Sequence, residues 1–331
     1  MESELNFNQT FKKEVKNIRR NQIIKECFYH NKNECCGDIK NAHSVQKNGR
    51  LSLIESNVKG QMSVFTPTEY KLLENDEKEW VPIGKNSAST FYGFCDYHDN
   101  ILFDPIENHP IDTNNYKHLF LHSYRSLAHS YHRKLQQANQ DITKSVLKDI
   151  KDIEEIQKLA NIAISEFENL KKKMESYIEN SIYDELEYFV FKVKGLFPLA
   201  VSSVLQPETS FKGRRVNNFM DLSTPITTMM LTIIPDLDYS VVIICAFKEN
   251  LKAVKFLEEL KLLYPLQKEI AMTTMILDCE NVFLSPIFYQ KLSKQYQKIL
   301  IKEFEYMFEP NHKPQKFHKS CFNFFEAKYR L

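Results

Sequence analysis

Cys95-Asp96-Tyr97-His98 and, well upstream of it, Cys27-Phe28-Tyr29-His30 followed by Cys35-Cys36-Gly37 are the stretches on which the reading of this chain turns. Zinc takes four sulfur or imidazole ligands in a tetrahedron, usually as two short pairs brought together by the fold. Cys95 and His98 make a C-x2-H pair, a spacing that lets both side chains point at one ion. The upstream half offers four donors for two places. Cys27 and Cys36 are the preferred pair, because Gly37 permits a knuckle turn that aims backbone amides at a thiolate; His30 and Cys35 are the alternates. The expected ligand set is therefore Cys27, Cys36, Cys95 and His98 around a structural Zn²⁺.

The surrounding composition fits such a centre. Four of the seven cysteines lie at or before Cys95, and eight of the ten histidines at or before His132. An odd number of cysteines, with no N-terminal apolar leader and no run long enough to span a bilayer, argues against a disulfide framework. A reducing cytoplasm and no membrane association are expected. Five of the seven glycines fall in the first 93 residues, so tight turns are concentrated at that end. A formal net charge of +1 excludes a global nucleic-acid signature. Basic residues gather only locally, at Lys12, Lys13, Lys16, Arg19, Arg20 and Lys25 and again at Lys212, Arg214 and Arg215.

The pattern divides the chain into three. Residues 1–112 read as a small loop-rich zinc-binding domain with little core of its own. Residues 113–186 read as a long helical hairpin or coiled coil. Tyr116–Ala138 carries Phe120, Tyr124, Leu127, Tyr131 and Leu135 on one face. After a cap at Asp141, Ile153, Ile156, Ala160, Ala163, Phe167, Leu170, Met174 and Tyr177 repeat in 3,4 alternation. That seam needs a partner, either the preceding helix or a second copy, with a homo-oligomer slightly favoured. Residues 187–331 read as an α+β unit. Strands are expected at Tyr188–Val193, Thr227–Ile234 and Tyr239–Phe247, mainly antiparallel, with helices at 249–264, 266–278 and 286–308 packed on them.

His43 stands in Asn41-Ala42-His43-Ser44, seven residues after Cys36. Together with the knuckle cysteines and the C-x2-H pair, this resembles the HNH (His-Me finger, ββα-metal) nucleases that carry a zinc-stabilised, treble-clef-like frame. The resemblance covers about 27–107. It implies that His43 is a general base activating water, and that Asp99 holds a catalytic Mg²⁺ or Mn²⁺. Asn57 or Asn48 would take the orienting position. The chain departs from the family pattern at Ala42, where an acidic residue is usual, at Asp99, where the helix residue is usually histidine, and in its longer insert. His43 as a fourth zinc ligand or as a structural histidine stays open beside the base.

In the first long helix His118, His122, Arg125, His129 and His132 share one face, expected to be a solvated or partner-facing basic surface. Arg125-x6-His132 also resembles the short R-x4-6-H motif of HEPN ribonucleases. Ser202, Ser203, Cys245 and Cys279 lie among apolar residues and read as packing. The functional expectation is cleavage of DNA or RNA phosphodiesters by an HNH-like domain, in an architecture that resembles prokaryotic anti-phage proteins. The alternative is a non-catalytic zinc protein that binds nucleic acid or a protein partner.

Overall fold

The computed structural model describes residues 23–73, 77–139, 153–221, 223–306 and 322–331. The basic lead-in from Lys12 to Arg20 and the Asp141 cap lie outside them.

Strand β1 (Ile39–His43) pairs antiparallel with the strand that leads into the C-x2-H motif, Thr90–Cys95, setting Ile39 opposite Cys95 and His43 opposite Thr90. The residues between build an insert. A π-helical turn at Lys47–Leu51 runs into one helical turn at Ser52–Ile54. There follow β2 (Ser56–Val58), β3 (Gln61–Val64), the hairpin β4 (Tyr70–Leu72) and β5 (Lys78–Trp80), and β6 (Ile83–Gly84). Thr90–Cys95 is then β7, and it passes without a loop into α1 (Asp96–Glu107). The frame is therefore strand, strand, helix. Gly93 makes it compact: a Cβ there would stand 2.5 Å from the Phe91 ring and 3.0 Å from that of Phe28.

Helix α2 (Tyr116–Asn139) is the centre of the molecule. Beside it runs α3 (Ile153–Glu179), antiparallel, with Phe120 against Tyr177 and the Tyr124 hydroxyl donating to Glu175 at 2.7 Å. The expected seam is occupied here within the chain. Phe167 and Met174 are buried, and Ile164, Leu170 and Tyr177 pack against the same cluster. The side chains of Ile153 and Ile156 lie outside the described ones.

The remaining strands form one antiparallel sheet, in the order β12-β9-β10-β11-β8, from β8 (Leu186–Lys194), β9 (Leu199–Leu205), β10 (Met229–Ile234), β11 (Tyr239–Phe247) and β12 (Val282–Leu284). Alternate side chains go to opposite faces. Met229, Leu231 and Ile233 join a core with α4 (Leu251–Leu262), α5 (Pro265–Leu277), α6 (Pro286–Lys291) and α7 (Lys294–Tyr306). Met230, Thr232 and Cys245 face α2 instead. Both faces are covered, so every residue of β10 is buried. Ser202 and Ser203, within the Leu199–Leu205 strand, and Cys245 and Cys279 are buried, as packing requires. Strands β9 and β12 add to the expected three.

The basic face of α2 is corrected by this arrangement. Arg125, His129 and His132 are buried, not solvated, because β7, α1 and the sheet close over the helix from several sides. A single apolar cluster draws on Cys27, Phe28, Phe94, Phe103, Tyr124, Phe167, Met230 and Phe247, and so on segments from every part of the chain. Among the described residues no helix is long and apolar enough to cross a membrane.

Candidate metal centre and the adjoining polar cluster

Cys27, Cys35, Cys95 and His98 bring their ligand atoms within 4.8 Å of one another. The His98 Nδ1 lies 3.4, 3.7 and 3.2 Å from the sulfurs of Cys27, Cys35 and Cys95. Ligands at ordinary Zn–S and Zn–N lengths in a tetrahedron stand about 3.6 Å apart for sulfur and nitrogen. The set is therefore compatible with Zn²⁺. Four protein ligands leave no position for water, which is the mark of a structural centre rather than a hydrolytic one.

The fourth member is Cys35, where the spacing favours Cys36. The reason lies in the backbone of the knuckle. Gly37 takes φ +79°, and the turn it permits aims the Cys36 amide at the Cys95 sulfur. The Cys36 carbonyl accepts from the Tyr97 amide at 3.3 Å. Cys36 thus serves the site through its peptide groups, while the preceding residue sends its thiol inward. His30, the other alternate, is engaged by Glu179 of α3.

Electrostatics prepare the thiols unequally. Burial pushes Cys27 up to about 12. Burial also raises Cys95, but the amides of His98 and Cys36 and hydrogen bonds from the other two thiols outweigh it, so its net shift is downward. Cys95 is the first to give up its proton. Burial lowers His98 and keeps the ligand form neutral. Its ring lies against Tyr29, with centroids 4.6 Å apart. The Lys171 ammonium donates to the Phe28 carbonyl at 2.6 Å and to Glu175 at 2.9 Å, pinning the Cys27 segment to α3.

His43 lies outside this cluster. Its Nδ1 donates to the Ala88 carbonyl at 3.0 Å and lies 3.1 Å from the Ser89 hydroxyl, while Nε2 makes no hydrogen bond among the described residues. Burial, against the raising influence of that carbonyl, lowers its pKa to about 4. Lys47, Arg125 and Glu107 are the charges that bear on the ring. Asp99 stands in the first turn of α1, with Oδ1 buried and without a hydrogen-bond partner. Burial raises its pKa, and Arg125, Glu107, Asp96 and Lys40 are its charged neighbours.

His43 and Asp99 therefore share two charged neighbours, Arg125 and Glu107, that the expected site did not contain. Asp99, Phe103 and Glu107 recur at every fourth position of α1 and so share a side of it. Arg125 lies over Phe103, its guanidinium carbon 3.9 Å from the ring centroid, and donates to Glu107 at 2.7 Å. Gln46 donates to the Glu107 carbonyl at 2.5 Å and ties the insert to the end of α1. Glu107 is legible in sequence only as the position two turns beyond Asp99. Of the orienting asparagines, Asn57 is spent on the β2–β3 turn, accepting from the Gly60 amide at 2.9 Å. No protein-family model, no curated protein and no solved structure matches the chain.

Proposed function

We propose that Cys27, Cys35, Cys95 and His98 bind one structural zinc, and that the frame it holds is a metal-dependent phosphodiesterase acting on nucleic acid. The observation that carries this reading is His43. It ends the first strand of a strand–strand–helix frame, with Nδ1 committed to a carbonyl and a neutral ring whose Nε2 lone pair is available as a base. In the step that follows, Nε2 takes a proton from water. The water oxygen bonds to phosphorus, the P–O ester bond on the opposite side breaks, and the leaving oxygen takes a proton from solvent.

A divalent ion of the Mg²⁺ or Mn²⁺ kind, when bound, supplies stabilisation of the charge that builds on the phosphoryl oxygens. Asp99 Oδ1, a buried carboxylate oxygen with no protein donor, has the chemistry such an ion prefers. One carboxylate completed by water and substrate is a habitual Mg²⁺ arrangement. The test is His43→Ala, expected to abolish divalent-metal-dependent cleavage of DNA or RNA and to leave the zinc content unchanged. Loss of the zinc would make His43 a ligand and remove the base.

A second reading is favoured by one observation. Among the described residues the zinc cluster is the only group of three or more metal-binding side chains. A zinc protein that binds nucleic acid or a protein partner without cutting fits that fact. Wild-type protein that binds nucleic acid yet cleaves none with any divalent ion would establish it. A homo-oligomer through the 153–177 seam would have to use the part before Phe167, since Phe167 and Met174 are already covered.

A further inference from the structure

Two basic groups, Lys47 and Arg125, bear on the His43 ring, and the mechanism above uses neither of them. Lys47 follows β1 by four residues, is half-buried, and forms no ion pair among the described residues. Its backbone is fixed from two sides: the Ser52 hydroxyl donates to the Lys47 carbonyl at 3.0 Å, and the preceding Gln46 is tied to Glu107. Arg125 is 3 % exposed, and its Nε is buried with no hydrogen-bond partner. Arg50, three residues beyond Lys47, is spent on Asp236 at 2.7 Å. A buried guanidinium nitrogen with a spare donor is costly to leave unmet, and a half-buried ammonium with no ion pair is free to meet an anion.

We propose that Lys47 is a phosphate contact beside His43, with Arg125 acting behind it, and that the ligand it meets is the phosphodiester backbone of a nucleic-acid strand. The inference rests on His43 as the base of the proposed reaction and adds what that base acts upon. Lys47 supplies the direct contact, a point charge on a flexible stem. Arg125 is a positioning residue. Through its bond to Glu107 it masks the one carboxylate that would otherwise repel a phosphate approaching the imidazole. A charge contact of this kind binds the backbone and not the bases.

The test measures binding without added divalent ion, so that turnover is not required. Fluorescein-labelled single-stranded DNA and RNA oligonucleotides serve as separate probes, followed by anisotropy over a salt series. Lys47→Ala is expected to weaken binding about fivefold to tenfold and to reduce the salt slope by about one. Glu107→Gln, which frees Arg125 and removes a negative charge, is expected to tighten binding. Arg125→Lys, which loses the guanidinium held on Glu107, is expected to weaken binding, and Glu107→Gln tests the same masking should that variant fail to fold. Variants that bind as wild type does, with the same salt slope, overturn the proposal, and so does wild-type protein that binds neither probe. Salt-sensitive binding lost in Lys47→Ala, from a protein that cuts nothing, keeps this proposal and sinks the phosphodiesterase.

Discussion

One position along the chain separates Cys35 from Cys36, and the difference is chemically large. A thiol in the cluster is placed to bind a metal, whereas the next residue contributes only an amide and a carbonyl. Cys35→Ser, Cys95→Ser and His98→Ala are each expected to lose the metal, about one zinc per chain by elemental analysis, while Cys36→Ser keeps it. Structural zinc contributes on the order of 10 kcal/mol in small modules, so the losing variants should also unfold around it. Zinc retained in Cys35→Ser and lost in Cys36→Ser would reverse the assignment. At His43 the expectation concerns the proton. Its folded pKa, lowered to about 4, lies under the ordinary histidine value of 6.5. Between the two the unfolded chain binds a proton that the folded one refuses, so this residue's contribution to stability falls as pH drops through that window. At about pH 5.5, nitrogen-15 spectra should show the neutral ring with the proton on Nδ1. An imidazolium pattern at that pH would contradict the burial and the carbonyl bond together.

Between elements, the pairing of α2 with α3 carries the sharpest energetic expectation. Lys171 and Glu175 are both buried, and each is satisfied by a group from elsewhere, the Phe28 carbonyl and the Tyr124 hydroxyl. Removing one partner strands a buried charge, so Lys171→Met should cost about 3–5 kcal/mol in urea denaturation. The double variant Lys171→Met with Glu175→Leu should recover much of that loss. A single variant as stable as wild type would mean that the pair is not buried in solution. The long helix itself was open to reading: the apolar period over Tyr116–Ala138 matches the Tyr116–Asn139 helix almost residue for residue. Its surroundings were not. The basic face looks solvated because sequence periodicity assigns only the first buried side of a helix. The second side is closed by segments far away in the chain. Strand β9 escaped for a related reason, since Ser202 and Ser203 interrupt its apolar pattern. Ser202 faces the Ser126 hydroxyl of α2 at 2.9 Å, a partner no local pattern can supply. The choice between adjacent cysteines was likewise beyond spacing rules, because a backbone angle decides it.

Across the whole molecule, the frame that carries the Cys/His cluster and the sheet are joined by polar as well as apolar contacts. Asn281, just before β12, donates to the Ser44 hydroxyl at 2.8 Å and to the Ser202 carbonyl at 2.7 Å, one residue from His43. Asn281→Ala would leave buried acceptors unmet and should cost about 1–3 kcal/mol. Trp80, the one tryptophan, belongs to the insert between β1 and β7 yet packs against Tyr289 and Phe304 in the core on the other side of the sheet. Its fluorescence therefore reports on a core that the metal does not touch. Stripping the zinc with a chelator should nonetheless lower the melting midpoint seen at Trp80, because the shared cluster ties the two regions into one transition. An unmoved midpoint would mean that the regions melt independently. The same shared cluster bears on how the protein is made. Translation delivers Cys27 and Cys95 long before Met230, Cys245 and Phe247, which belong to the same apolar cluster. Until those later residues leave the ribosome the two thiols lack that cover. With zinc bound as proposed, an ion captured early would shield them from oxidants in the interval, and zinc supplied during synthesis, rather than afterwards, is expected to raise the yield of intact protein.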